Sequence, residues 1–123
     1  RHLPVPGADL GRVLYLRTAA DADALKAVLK KGRRLAVVGG GYVGLEVAAS
    51  ARSLGCEVVV IEREDRVLAR VASRRLSAFF EKTHAAHGVE ILLGASVTGF
   101  RGQDGSAPRG RAKQGMLDVW IGR

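Results

Sequence analysis

At 123 residues the chain is expected to form one domain, and with 47% hydrophobic and 26% charged residues it is globular rather than disordered or fibrous. The net charge of +8 raises nucleic acid as a partner. However, the basic residues are spread along the chain and aromatic residues make up only 5%, too few for a base-stacking platform, so a solvated basic surface is expected first and a docking face for an acidic protein next. No apolar run reaches the about 18 residues of a membrane helix, and the single cysteine, Cys56, excludes an internal disulfide, a Cys-rich zinc site and an internal redox dithiol, which makes the reducing cytoplasm the natural setting.

Arg1 to Arg17 reads as a linker, with Leu3-Pro4-Val5-Pro6-Gly7 extended and turn-like and no apolar leader segment. A chain opening on Arg1 rather than Met is expected to be cut from something longer. Thr18 to Lys31 is predicted as a helix: Thr18 or Asp21 can cap it, Ala22, Leu25, Val28 and Leu29 share a face, and Gly32 stops it. Leu35-Ala36-Val37-Val38 is a short apolar run, expected as a strand buried on both faces of a parallel sheet.

A glycine cluster follows, and then a helix of small and apolar residues from Val43 to Leu54, closed by Gly55. Glu57 to Ile61 is a β-branched second strand. Glu62 to Ala72 is a charged loop, and Ser73 caps a helix running to His87 that Gly88 ends. Val89–Leu93 and Ser96–Phe100 are further strands, the latter leading into a Gln103-Asp104-Gly105-Ser106 turn, and Met116–Ile121 is a last one.

The glycine cluster carries the chemistry. Gly39-Gly40-Gly41-Tyr42-Val43-Gly44 satisfies G-x-G-x-x-G between a predicted strand and a predicted helix. Gly39 permits the tight turn, Gly41 lets a pyrophosphate approach the backbone, and Gly44 lets helix and strand pack closely. The helix then points free N–H groups and a positive dipole end at the phosphates. Glu62 ends the second strand 18 positions after Gly44, where a carboxylate can accept hydrogen bonds from the adenosine ribose. It favours the free 2′-hydroxyl of NAD over the 2′-phosphate of NADP, while Arg63 and Arg66 nearby could soften that preference. The alternative reading is a glycine turn that serves only tight packing. His84 and His87, near a helix end, are expected to meet its C-terminal dipole rather than a metal, and Cys56 is expected to be a packed residue. Nothing resembles a nucleophile with its base, so no catalytic residue is assigned in this chain.

The segment Gly39 to Glu46, taken with Leu3-Pro4-Val5-Pro6-Gly7-Ala8-Asp9, Tyr15-Leu16-Arg17-Thr18, Val60-Ile61-Glu62 and His87-Gly88-Val89, resembles the FAD-dependent pyridine-nucleotide oxidoreductases, in their ferredoxin, rubredoxin and putidaredoxin reductase branch. The resemblance covers roughly residues 3 to 105. It implies the FAD/NAD(P)-binding fold: an α/β, Rossmann-like βαβ domain with a parallel sheet and a small antiparallel β-meander. It implies that residues 1–17 link from an FAD domain outside this chain and that 18–123 form the NAD(P)-binding domain. By the same resemblance Glu46 lies near the nicotinamide amide, Tyr42 can gate the flavin face, and Glu62 is the ribose ligand. The cofactor-binding set is then Gly39, Gly40, Gly41, Tyr42, Val43, Gly44, Glu46, Glu62 and Arg63. The ordinary readings of Glu46 and Tyr42 are a carboxylate favouring a helix start and an exposed aromatic.

Asp118-Val119-Trp120-Ile121-Gly122 is similar to the start of the family's next segment, while about 106–123 is otherwise atypical or truncated. The implied function is the NADH-binding part of a flavoprotein that passes hydride from NADH to FAD and electrons to an iron–sulfur (ferredoxin-like) or rubredoxin partner, without turnover by this chain alone. Neither nucleic acid nor membrane is expected as a partner. The alternatives are part of a disulfide reductase of the same superfamily, a non-catalytic dinucleotide-binding module, or a glycine turn that holds FAD itself. The position of that turn, 38 residues into the chain, argues against the last.

Overall fold

The computed structural model describes residues 3–10, 13–102 and 117–122, for 102 and 117–122 the backbone alone. The expected turn at 103–106 lies outside the described residues. The chain divides into two compact units, 29–96 and 1–28 with 97–122.

The first unit carries the motif. Strands β1 (Arg34–Val38), β2 (Glu57–Glu62) and β3 (Val89–Leu93) form a parallel sheet in the order β1-β2-β3. Helices α2 (Tyr42–Ser53) and α3 (Arg74–Ala86) are the crossovers between them. α2 lays Ala48 and Ala51 against Cys56, Val58, Val60 and Val89, with Leu35 and Val37 at the margin. The small side chains on that helix face let it sit close to the sheet. A second cluster joins Leu45 of α2 to Val67 and Leu68 of the loop after β2, with Phe80 packed on it. β2 is central and mostly buried. β1 is only half-buried, contrary to the expectation from its apolar run, since among the described residues β2 is its one strand neighbour.

The helix ends follow local chemistry. α2 stops in a Schellman motif: Gly55 takes φ 87°, its N–H donates to the Arg52 carbonyl, and the Cys56 N–H donates to the Ala51 carbonyl. Ser73 caps α3 by accepting from the Leu76 N–H at 3.2 Å. Gly88, at φ 88°, ends that helix, its N–H donating to the Ala85 carbonyl. His84 and His87 contact carbonyls of the closing turns, Phe80 O at 2.9 Å and Thr83 O at 2.8 Å, and His84 reaches Leu45 O of α2 at 3.1 Å. His87 thus meets a carbonyl of the last turn, the expected place at a helix end, while His84 bridges α3 to α2. Cys56 is fully buried, as expected of a packed residue.

In the other unit, helix α1 (Ala19–Val28) ends three residues before the expected Lys31. Both candidate caps operate together. The Asp21 carboxylate accepts from the Arg17 and Thr18 N–H groups at 2.9 Å, and Thr18 Oγ1 accepts from the Asp21 N–H. Those N–H donors, Arg17 first and then Thr18, hold the Asp21 carboxyl below its ordinary range. The leading segment is held rather than loose: the Tyr15 hydroxyl donates to Ala8 O and accepts from the Leu3 N–H, and the Phe100 N–H donates to Pro6 O at 2.8 Å. Gly7, at φ 81°, is required there, since a Cβ would run into the Phe100 carbonyl. β4 (Ser96–Gly102) and β5 (Leu117–Gly122) form a separate two-stranded sheet. No helix among the described residues is long and apolar enough to cross a membrane.

Candidate functional site

The C-terminal ends of β1 and β2 lie side by side, with Val38 in register with Ile61. The chain leaves β1 through Gly39, whose φ of 107° is open to glycine but not to residues with a side chain. The Gly39 N–H still belongs to the sheet, donating to Ile61 O at 2.8 Å. Gly40 is buried and bonded on both sides: its N–H donates to Glu62 Oε2 at 2.5 Å, and its carbonyl accepts from the Leu68 N–H at 2.8 Å. Gly41 is the N-cap of α2 and offers no side-chain cap, which leaves the first-turn N–H groups of the helix without a side-chain acceptor.

Three of the four glycines in the Gly39–Gly44 segment meet different surroundings. A Cβ on Gly44 would strike the Gly39 carbonyl oxygen and crowd Val37, so this glycine serves the approach of helix to strand. A Cβ on Gly41 would meet no protein atom within 4 Å, so no packing demand explains a glycine at this place. Gly40 is tight against Glu62 and Val67.

A cavity of about 350 Å³ opens beside this turn, lined by Gly40, Gly41 and Tyr42, by Glu62, Arg63 and Glu64, and by the segment Leu68 to Val71. The structure therefore brings Gly40, Gly41, Tyr42, Glu62 and Arg63 of the expected set around one space, with Gly39, Val43 and Gly44 forming the adjoining turn and first helical turn. Glu46 lies exposed on α2 and does not line the cavity. Tyr42 is 46% exposed, but its ring rests edge-on against Phe80, with centroids 6.0 Å apart.

Glu62 serves the turn as well as the cavity. Oε2 accepts from Gly40 and Oε1 from the Glu64 N–H at 3.0 Å. Each oxygen retains a lone pair, so the carboxylate can accept from a ligand hydroxyl while bracing the turn.

Arg66 departs from expectation. Its guanidinium turns inward and donates to Ala69 O and Ala72 O at 3.0 and 3.1 Å, so it folds the loop and does not face the cavity. The basic side chains at the cavity are Arg63 and Arg70. Arg70 carried no sequence signal, because its place follows from the course of the loop and not from its distance to the motif.

Residues 1–118 match the pyridine nucleotide-disulphide oxidoreductase family. The chain belongs to that family. It is 50% identical over 105 residues to a probable ferredoxin reductase of Castellaniella defragrans, a match covering 85% of this chain and 26% of that protein. Among solved structures, the covalent putidaredoxin reductase–putidaredoxin complex aligns at a TM-score of 0.76 with 37% identity, over 95% of this chain and 30% of that one. The water-forming NADH oxidase of Lactobacillus brevis, bound to NADH, aligns at 0.81 with 27% identity, over 95% of this chain and 24% of that one. The chain thus spans about a quarter of the length of the ferredoxin reductase it matches. The family resemblance read from the glycine motif and its flanks is borne out, as is the α/β fold with a parallel sheet. The family implies FAD and a pyridine nucleotide, NAD(P)H, as the cofactors.

Proposed function

We propose that the cavity beside the glycine turn holds the ADP half of NADH, and that this chain is the NAD-binding part of a ferredoxin-type flavoprotein reductase. The observation that carries the reading is Gly41: a glycine that no protein atom requires, at an uncapped helix start, facing a cavity bordered by an acidic strand end. A pyrophosphate needs that combination of open backbone, N–H donors and positive dipole end.

In this reading Gly39 and Gly40 shape the turn, and Gly41, Tyr42 and Val43 present backbone N–H groups to the phosphates. Glu62 takes the adenosine ribose, with Arg63 beside it. Tyr42 and Glu46 lie toward the nicotinamide, Tyr42 as a ring that must move aside. Residues 1–17 are the linker and 18–123 the NAD domain. FAD, bound by segments outside this chain, supplies the exchange of a hydride for single electrons that a ferredoxin-like or rubredoxin acceptor takes. The residues of this chain contribute placement, since holding the ADP half fixes where the nicotinamide is presented. The relatives named as ferredoxin reductases support this acceptor class over a disulfide.

Calorimetric titration of the chain with NADH, NADPH and FAD tests the assignment. NADH is expected to bind, NADPH more weakly and FAD not at all, without turnover. Flavin retained stoichiometrically through purification is the result that contradicts it.

The preference for NADH rests on Glu62 against Arg63 and Arg70. Glu62→Ala removes the repulsion toward a 2′-phosphate and leaves two cations at the cavity, so the ratio of NADPH to NADH affinity is expected to rise about tenfold, roughly 1.4 kcal/mol. Both affinities also fall, because the Gly40 N–H loses its acceptor. The ratio is therefore the decisive measurement, and an unchanged ratio removes Glu62 from cofactor selection.

A further inference from the structure

One wall of the cavity, Leu68 to Val71, belongs to a loop, and something must hold it. Leu68 is the only non-glycine among the described residues with a positive φ, 56°, a conformation a leucine adopts only when its surroundings impose it. The polar backbone groups on both sides of that residue are taken. The Val67 N–H donates to Glu81 Oε2 at 3.1 Å, and the Val67 carbonyl accepts from Ser77 Oγ at 2.6 Å. The Leu68 N–H donates to Gly40 O, and the Leu68 carbonyl accepts from Ala72 N–H at 2.9 Å. Ser77 and Glu81 are one helical turn apart on α3, so a single face of that helix grips one residue, Val67, by both its N–H and its carbonyl. Ser77 is the one buried polar side chain among the described residues, 1% exposed, and Val67 is fully buried.

We propose that Ser77 and Glu81 are positioning residues for the dinucleotide. By clamping Val67 they set the turn at Leu68, and through the Leu68–Gly40 hydrogen bond they couple α3 to the glycine turn. Neither side chain lines the cavity; both hold Val67, whose neighbour Leu68 does line it. The proposal rests on the cavity being the NADH site. A purely structural role would cost stability and leave the affinity of the folded protein unchanged, whereas a positioning role costs affinity in protein that remains folded.

The test is titration of the chain with NADH and with ADP-ribose, alongside thermal unfolding and amide hydrogen exchange at Leu68. Glu81→Ala removes the acceptor for the Val67 N–H from a half-buried place that tolerates truncation. It is expected to weaken both ligands about tenfold and to speed exchange at Leu68. Glu81→Gln keeps an acceptor oxygen and is expected to bind both within twofold of the parent chain. Ser77→Ala tests the other end of the clamp and is expected to lose affinity in the same way where it folds. Folded Glu81→Ala with unchanged affinity, or Glu81→Gln no better than Glu81→Ala, overturns the positioning role. A parent chain that binds neither NADH nor ADP-ribose overturns the reading of the cavity itself, and the positioning role with it.

Discussion

Gly41→Val is expected to leave the chain folded and to weaken NADH binding about 100-fold, close to 2.7 kcal/mol. The stability terms nearly cancel. Valine is a poorer N-cap than glycine by up to ~1 kcal/mol. The backbone at Gly41 (φ −82°, ψ −178°) is extended and suits a β-branched residue, so the lost freedom of the unfolded glycine returns about 0.4–1 kcal/mol. No protein atom lies where the first side-chain carbon would sit. The branched side chain does occupy the approach to the N–H groups of the first turn of α2, the path a pyrophosphate must take. A thermal midpoint within a few degrees of the parent, with the stabilisation by NADH cut to about 0.4 kcal/mol at a ligand concentration of about 100 times the parent Kd, is the expected pair of results. At the same concentration that stabilisation is about 2.7 kcal/mol for the parent chain, so its loss is readily measured. A folded Gly41→Val chain with parental affinity defeats the phosphate reading of the turn.

The βαβ unit could be read from the sequence because its signals are local and agree with one another. A β-branched run, a glycine at each helix end and small residues on one helix face each constrain a few neighbouring residues, and β2, α2, α3 and β3 emerge within a residue or two of their expected limits. Glu62 was likewise marked by its place at the end of β2. What escaped notice depends on contacts distant in sequence. The apolar run of β1 suggested burial on both faces, yet how far it is buried is set by how many strands flank it. Distance along the sequence singled out Arg66 and gave no sign of Arg70. Only the path of the loop turns the first onto Ala69 and Ala72 and leaves the second at the cavity. That path is fixed by Ser77 and Glu81, which lie beyond the loop on α3 and look like ordinary polar helix residues. The glycine-rich turn itself concealed a division of labour, since Gly44 meets a carbonyl, Gly40 a carboxylate and Gly41 open space.

Gly44→Ala exposes that division from the other side. A Cβ at this position meets the Gly39 carbonyl oxygen, which is backbone and cannot rotate out of the way, and Val37 stands behind it. Helix and strand must separate or the turn must shift, at a cost of about 3 kcal/mol for overpacking of this kind. Alanine regains about 1 kcal/mol in helix propensity over glycine, so the net loss is about 2 kcal/mol. For a chain of this size that lowers the thermal midpoint by roughly 6–10 °C. The loss is present without any ligand, in contrast to Gly41→Val, whose defect appears only when NADH is added. NADH affinity falls as well, because Gly39 and the start of α2 move with the turn, but the unfolding curve of the free protein is the distinguishing measurement. A midpoint equal to that of the parent would mean that the turn yields at no cost. Tight packing of α2 on β1 would then no longer account for glycine at position 44, and the requirement would have to come from the ligand, as it does at Gly41.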